Sequence, residues 1–128
     1  MKTKLLLALA VTSLFFTSTQ AADYAPKVGL QTWSCRNMNF DEVVAFAEKN
    51  GLKHVQAIGK HIDPMGSLDD AKKKKAVLDA KGIHFYTFGV AGTSPDKEVN
   101  RKLFVFAKAM GIKVIVVEPK NEKALWDG

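Results

Sequence analysis

The phrase Ala109-Met110-Gly111-Ile112-Lys113-Val114 has two earlier variants in the chain, Lys49-Asn50-Gly51-Leu52-Lys53-His54-Val55 and Ala80-Lys81-Gly82-Ile83-His84-Phe85. In each, a glycine follows a helix-forming segment and a β-rich apolar segment begins directly after it, so the phrase reads as helix stop and strand start. The glycines at 51, 82 and 111 lie 31 and 29 residues apart. That interval fits one strand plus one helix, and a repeated strand-helix unit with right-handed crossovers winds in a single direction.

Reading outward from these joints gives four strands. The first is expected over residues 28–33, the second over 52–58, the third over 83–88 and the fourth over 113–118. Between them, Asn39 with Glu42 has capping-box spacing, and Val43, Val44 and Ala47 put an apolar stripe on the first helix. Ser67 with Asp70 repeats the capping arrangement, and Ala71, Val77 and Leu78 are expected to face the sheet. For the third helix Ser94 is the expected cap, with Pro95 at the first position and Asp96 and Glu98 in the first turn. Its expected buried face is Val99, Leu103, Phe106, Ala107 and Met110. The run Val114-Ile115-Val116-Val117 is continuously apolar, as in a parallel strand covered on both faces. Glu122, Ala124, Leu125 and Trp126 read as the start of a fourth helix.

The expected fold class is therefore α/β, with parallel (β/α) units forming half of a TIM (β/α)8 barrel of four strands and three to four helices. A doubly wound sheet reverses its direction, and no reversal is marked in this sequence. The alternative is a complete small α/β sandwich.

The chain has 128 residues, 47% hydrophobic and 25% charged, which excludes a disordered, collagenous or disulfide-stapled protein. Lys2 and Lys4 precede an uncharged apolar run over 5–16 and then a small, polar stretch over 17–22. This is the pattern of a secretory signal, and the run is short against the roughly 20 apolar residues that span a bilayer. Thr19-Gln20-Ala21 suits cleavage after Ala21, with Ala22 as the alternative. Residues 1–21 are accordingly expected to be a signal peptide and 22–128 a barrel-type domain, exported to the periplasm or secreted from a bacterium, with no membrane attachment after cleavage. The remaining 107 residues carry a net charge of +4, too mild to indicate nucleic acid. Against the roughly 250 residues of a full barrel, they amount to half, and truncation is the leading expectation. Cys35 is the only cysteine, so no internal disulfide forms.

Parallel α/β folds carry their function at the carboxyl ends of the strands. Those ends hold Trp33, Ser34, Cys35 and Arg36; Gly59, Lys60 and His61; Gly89, Val90 and Gly92; and Glu118 with Pro119. Glu118, directly after four apolar residues, is the candidate catalytic carboxylate. At the rim of a low-dielectric core its charge needs a cation or a hydrogen-bond donor, unless the strand has already carried it into water. His61 is a candidate substrate-binding residue, since an imidazole there binds substrate, ligates a metal or exchanges protons. Trp33 is the second, offering an apolar wall to the carbon face of a sugar. His54 and His84, at strand starts, are expected to be structural. Cys35 lacks a neighbouring histidine or helix start that would activate it. The run Lys72-Lys73-Lys74-Lys75 turns round most of a helix with no interleaved aromatics or arginines, which fits a solvated helix and no nucleic-acid partner. No dinucleotide fingerprint, P-loop, Cys-x-x-Cys or His-Glu-x-x-His motif is present.

Four segments in order, Val28-Gly29-Leu30-Gln31-Thr32-Trp33-Ser34, Val55-Gln56-Ala57-Ile58-Gly59-Lys60-His61, Tyr86-Thr87-Phe88-Gly89-Val90 and Val116-Val117-Glu118-Pro119, resemble the sugar phosphate isomerase/epimerase family of xylose isomerase-like TIM barrels. The resemblance spans residues 28 to about 120. It implies an enzyme of carbohydrate metabolism acting on a small-molecule carbohydrate, with a divalent metal (Mn2+, Mg2+ or Zn2+) polarising a carbonyl while a carboxylate moves a proton on the neighbouring carbon. By analogy Glu118 is a metal ligand or acid/base and His61 a substrate-binding or ligand residue. Most of the family's ligands come from strands five to eight, which have no counterpart here. The competing expectations are a keto-glycoside lyase or hydrolase of the same fold, and a non-enzymatic carbohydrate-binding half barrel. As a homodimer, two copies would close one barrel.

Overall fold

The computed structural model describes residues 27–119, so the expected signal peptide and the start of a fourth helix lie outside the described residues. The elements follow in the order β1 (Leu30–Gln31), a 3-10 turn (Thr32–Cys35), α1 (Phe40–Lys49), β2 (His54–Ala57), α2 (Leu68–Ala80), β3 (His84–Thr93), α3 (Lys97–Met110) and β4 (Val114–Pro119). All strand pairs are parallel and the sheet order is β1-β2-β3-β4. The fold is α/β, with the four parallel strands of half a (β/α)8 barrel and three described helices. No described helix is long and apolar enough to cross a membrane.

Local chemistry sets the element ends. Asn39 and Glu42 form the reciprocal capping box, with Glu42 N–H donating to the Asn39 side chain at 3.0 Å and Asn39 N–H donating to the Glu42 carboxylate at 2.7 Å. Ser67 accepts from Asp70 N–H at 3.3 Å and opens α2. α3 begins two residues later than the sequence suggests: Asp96 caps it by accepting from Glu98 N–H at 2.8 Å. Ser94 instead accepts from Asp96 N–H, and its own backbone is bonded twice to the Asn100 amide. Gly111 ends α3 in the left-handed region at φ 69°, as the helix-stop phrase requires.

The strands differ more from expectation. β1 is two residues long because the chain turns at Thr32, which puts Trp33 in the 3-10 turn. β3 runs on through Gly89 to Thr93, five residues past its expected end. Gly89 lies at φ 140°, and a Cβ there would stand 2.3 Å from the Val116 carbonyl oxygen; only glycine lets β3 pass this close to β4.

One buried cluster joins Val43, Val44 and Ala47 of α1, Ala71 and Leu78 of α2, and Leu103, Phe106, Ala107 and Met110 of α3 to one face of the sheet. Strand residues Leu30, Val55, Ala57, Phe85 and Phe88 complete it. No helix among the described residues packs on the opposite face, where Tyr86, Val114 and Val116 are exposed. Among the described residues β4 is not covered on both faces as expected: of its residues only Ile115 packs against the core, and Val117 is also exposed. Among the described residues β3 is the one strand paired with β4. Val77 likewise lies exposed instead of facing the sheet, and Val99 is half-buried. The lysine run is solvated as expected, with Lys72, Lys74 and Lys75 near Asp69, Asp70 and Asp79 on their own helix.

Candidate functional site at the strand ends

The carboxyl ends of the four strands enclose a cleft of about 460 Å³ lined by Gln31, Trp33, Ile58, Gly59, Lys60, Val90 and Glu118. Every strand contributes, because the strands are all parallel and so turn their carboxyl ends to one side of the sheet. Trp33 and Glu118 thus meet in one cleft although they are far apart in the chain. Trp33 is 58% exposed, with its indole free to take an apolar surface and the Arg36 guanidinium 5.7 Å from its ring centroid. Glu118 is exposed at the rim and forms no salt bridge among the described residues. The strand has carried its carboxylate into water, the less demanding of the two situations its sequence position allows.

His61 has a different place from the one its position after Gly59 suggests. It is 1% exposed and is not part of the cleft lining. The amides of His61 and Ile62 both donate to the Ile58 carbonyl, at 3.0 and 3.1 Å, and this helical turn swings the imidazole inward while leaving Lys60 in the cleft. Both ring nitrogens are taken. Nε2 lies 3.2 Å from the Met38 carbonyl oxygen, which can only accept, so Nε2 carries the proton. Nδ1 then accepts from the Thr32 hydroxyl at 2.8 Å, and Thr32 Oγ1 accepts from Ile58 N–H at 3.1 Å. Burial, reinforced by the charges of Lys60 and Lys74, holds the imidazole below its usual value of 6.5 against the opposing pull of the Met38 carbonyl. His61 is thus a neutral link between the ends of β1 and β2 and the approach to α1. Its hydrogen bonds tie the turn that carries Trp33 to the end of β2, and the side chain does not line the cleft.

Lys60 and Thr32 are the residues that reading the sequence left unused. Lys60 Nζ donates to the Arg36 carbonyl, which holds the ammonium beside the Trp33 turn. Thr32, between Gln31 and Trp33 at the start of the 3-10 turn, is 1% exposed, and its hydroxyl makes the buried polar link. Cys35 is buried and free. His54 and His84 stack 5.4 Å apart at the opposite end of the sheet, with Tyr86 edge-on to His54 at 6.0 Å.

The divalent metal implied by the family resemblance needs several ligands in one place. Among the described residues no group of three or more His, Cys, Asp or Glu side chains gathers to hold one. Glu118 supplies a single carboxylate, so the residues described here do not make a coordination sphere.

No family model matches the chain, and no curated protein matches it. Among solved structures, the chain is similar to an uncharacterized protein from Parabacteroides distasonis, with a TM-score of 0.66 and 24% identity. The match covers 78% of this chain and 46% of that one, so this chain spans about half the length of its structural relative. The likeness bears on the fold alone.

Proposed function

We propose that the cleft binds a carbohydrate or carbohydrate derivative, and that Glu118 moves a proton next to its carbonyl in a reaction of the sugar isomerase or epimerase type. The observation that carries this reading is the meeting of an indole, an ammonium and a carboxylate in one cleft at the ends of parallel strands. Each has a distinct task. Trp33 packs against the C–H face of the sugar ring. Lys60 donates a hydrogen bond to the carbonyl oxygen and stabilises the negative charge that develops there. The Glu118 carboxylate removes the proton from the hydroxyl-bearing carbon next to the carbonyl, leaving an enediolate; the proton of that carbon's hydroxyl passes to the former carbonyl oxygen, and Glu118 returns its proton to the former carbonyl carbon, which gives the isomer. A lyase of the same type shares the first step and then expels a leaving group.

Solvent-deuterium exchange at the carbon next to the carbonyl, followed by NMR with a panel of aldoses, ketoses, their phosphates and keto-glycosides, tests the reading. Exchange is expected with the intact chain, and Glu118→Gln is expected to slow it by about 100-fold or more, the usual scale of a positioned acid or base. Trp33→Ala is expected to weaken binding with the exchange step retained. Unchanged exchange in Glu118→Gln overturns the assignment. Saturable sugar binding without exchange supports the second reading, a carbohydrate-binding module, which the exposed Trp33 indole in the cleft favours.

A further inference from the structure

The turn that carries Trp33 is fastened to the end of β2 by side chains. Ile58 N–H donates to Thr32 Oγ1 at 3.1 Å, the Thr32 hydroxyl donates to His61 Nδ1 at 2.8 Å, and His61 Nε2–H donates to the Met38 carbonyl at 3.2 Å. Beside this buried line, Lys60 Nζ donates to the Arg36 carbonyl. Residues 58–61 thus hold residues 32–38 at both ends, and Trp33 lies between those ends in the chain. β1 pairs with β2 through two residues, Leu30 with Val55 and Gln31 with Gln56, so the ladder stops just before the turn and the side-chain bonds take over. The Trp33 indole is 58% exposed, and its place is set by the backbone of the turn more than by packing. Thr32 and His61 are each 1% exposed, and among the described residues no buried side-chain nitrogen or oxygen lacks a partner. A buried network closed in this way has one arrangement of donors and acceptors, and losing one member strands the next.

We propose that His61 is the positioning residue of the cleft: through the Thr32 hydroxyl and the Met38 carbonyl it holds the Trp33 turn where the indole meets a ligand, a role that rests on the reading of the cleft as a carbohydrate site. Its neighbour Lys60 is held at the same rim by the Arg36 carbonyl. Acid releases the hold. In the neutral ring Nδ1 accepts. Once Nδ1 carries a proton both ring nitrogens donate, and Thr32 Oγ1, which already accepts from Ile58 N–H, has to accept from Nδ1 as well and turn its own proton away. The bond that ties the start of the turn to His61 is reversed, and a cation is left buried. The charged groups that face the ring are Lys60 of its own turn and Lys74 of α2, and both oppose that cation. The carbonyls of Met38 and Cys35, from the segment before α1, favour it, but burial prevails and the ring takes its proton only below its usual range. The turn is therefore held above pH 6.5 and released as pH falls through the folded value.

Heteronuclear NMR of the full chain without ligand is the first test, with the Trp33 indole N–H identified by its absence in Trp33→Phe. As the pH is lowered from about 8 to about 5, the His61 ring, the Trp33 indole and the amides of residues 32–38 are expected to shift with one common midpoint below 6.5, while the amides of α3 stay in place. His61→Gln is expected to remove the transition at Trp33. Thr32→Val takes away the donor to the neutral ring and is expected to raise the midpoint. Thr32→Ser keeps the hydroxyl and is expected to restore it, with unchanged helical circular dichroism in both. The second test is affinity for the same panel of sugars. The dissociation constant is expected to stay level above pH 6.5 and to rise by up to about tenfold per pH unit below the midpoint. In the neutral range His61→Ala is expected to raise it about tenfold, with exchange at saturating sugar retained because His61 does not line the cleft. A Trp33 signal that does not follow His61, or that keeps its transition in His61→Gln, overturns the proposal, as does a folded His61→Ala protein with unaltered affinity. Absence of sugar binding in a chain whose Trp33 follows His61 overturns the reading of the cleft and supports the coupling.

Discussion

β3 and β4 are neighbours in the sheet and similar in composition, yet one is buried and the other is not. In β3, Phe85, Phe88 and Ala91 are buried, and the rings of Phe85 and Phe88 meet Phe106 edge-on at 6.3 and 5.2 Å. In β4, which is if anything more apolar residue by residue, Val114, Val116 and Val117 are exposed. The difference lies in what surrounds each strand. Among the described residues β3 has a strand on either side and α2 and α3 over it, whereas β4 has one strand and the flank of α3. An apolar run therefore fixes that a strand forms and that its faces are suited to cover. It does not identify the cover.

The largest test of that contrast is Phe88→Ala. Removing a buried aromatic that packs edge-on against Phe106 is expected to cost about 3–5 kcal/mol, measured by urea denaturation. A loss below about 1 kcal/mol would mean that β3 is no better packed than its neighbour. Next comes His61, which holds the covered side together by hydrogen bonds. His61→Ala leaves the Met38 carbonyl and the Thr32 hydroxyl without their partner and is expected to cost about 1–3 kcal/mol. The same residue predicts a pH dependence. Its folded pKa is lowered from 6.5, so between the two values the unfolded chain binds more protons. The neutral imidazole's contribution is complete above pH 6.5 and is lost as pH falls below it towards the folded value. His61→Gln, which keeps a donor for Met38, is expected to flatten this slope. Equal slopes in the two proteins would show that His61 is not the group responsible.

The order of the strands was legible in the sequence because it rests on local chemistry: a left-handed glycine ends each helix and the next strand follows. Asn39 with Glu42 and Ser67 with Asp70 were legible for the same reason. Three other features depend on distant partners. β3 continues beyond Phe88 because Gly89 lets it lie against Val116, and neither glycine nor valine announces that contact alone. His61 turns inward because a helical turn starts at Ile58 and because Thr32, from 29 positions earlier, offers its hydroxyl. At the cleft, the places of Trp33 and Glu118 could be found from strand ends alone, but that Lys60 and not His61 lines it depends on the direction of one turn.

Two smaller effects bring the comparison down to single groups. Asn39→Ala removes the side-chain oxygen that accepts from Glu42 N–H while keeping the backbone N–H that donates to the Glu42 carboxylate, and is expected to cost about 1 kcal/mol in the same denaturation experiment. The loss belongs to α1 on the covered side and should not depend on the state of β4. Val117→Thr is the counterpart of Phe88→Ala on the neighbouring strand. It keeps the shape and the β-branching of valine, and its site on the outer face is 44% exposed, so the added hydroxyl remains hydrated. The expected change is within about 0.5 kcal/mol. A cost near 2 kcal/mol would mean that something covers this side of β4 in solution. The groove it borders, lined by Phe104, Ala107, Ile112 and Ile115, would then be where that cover lies. The contrast between the strands would survive only for the inner face, where Val116 is the residue to change.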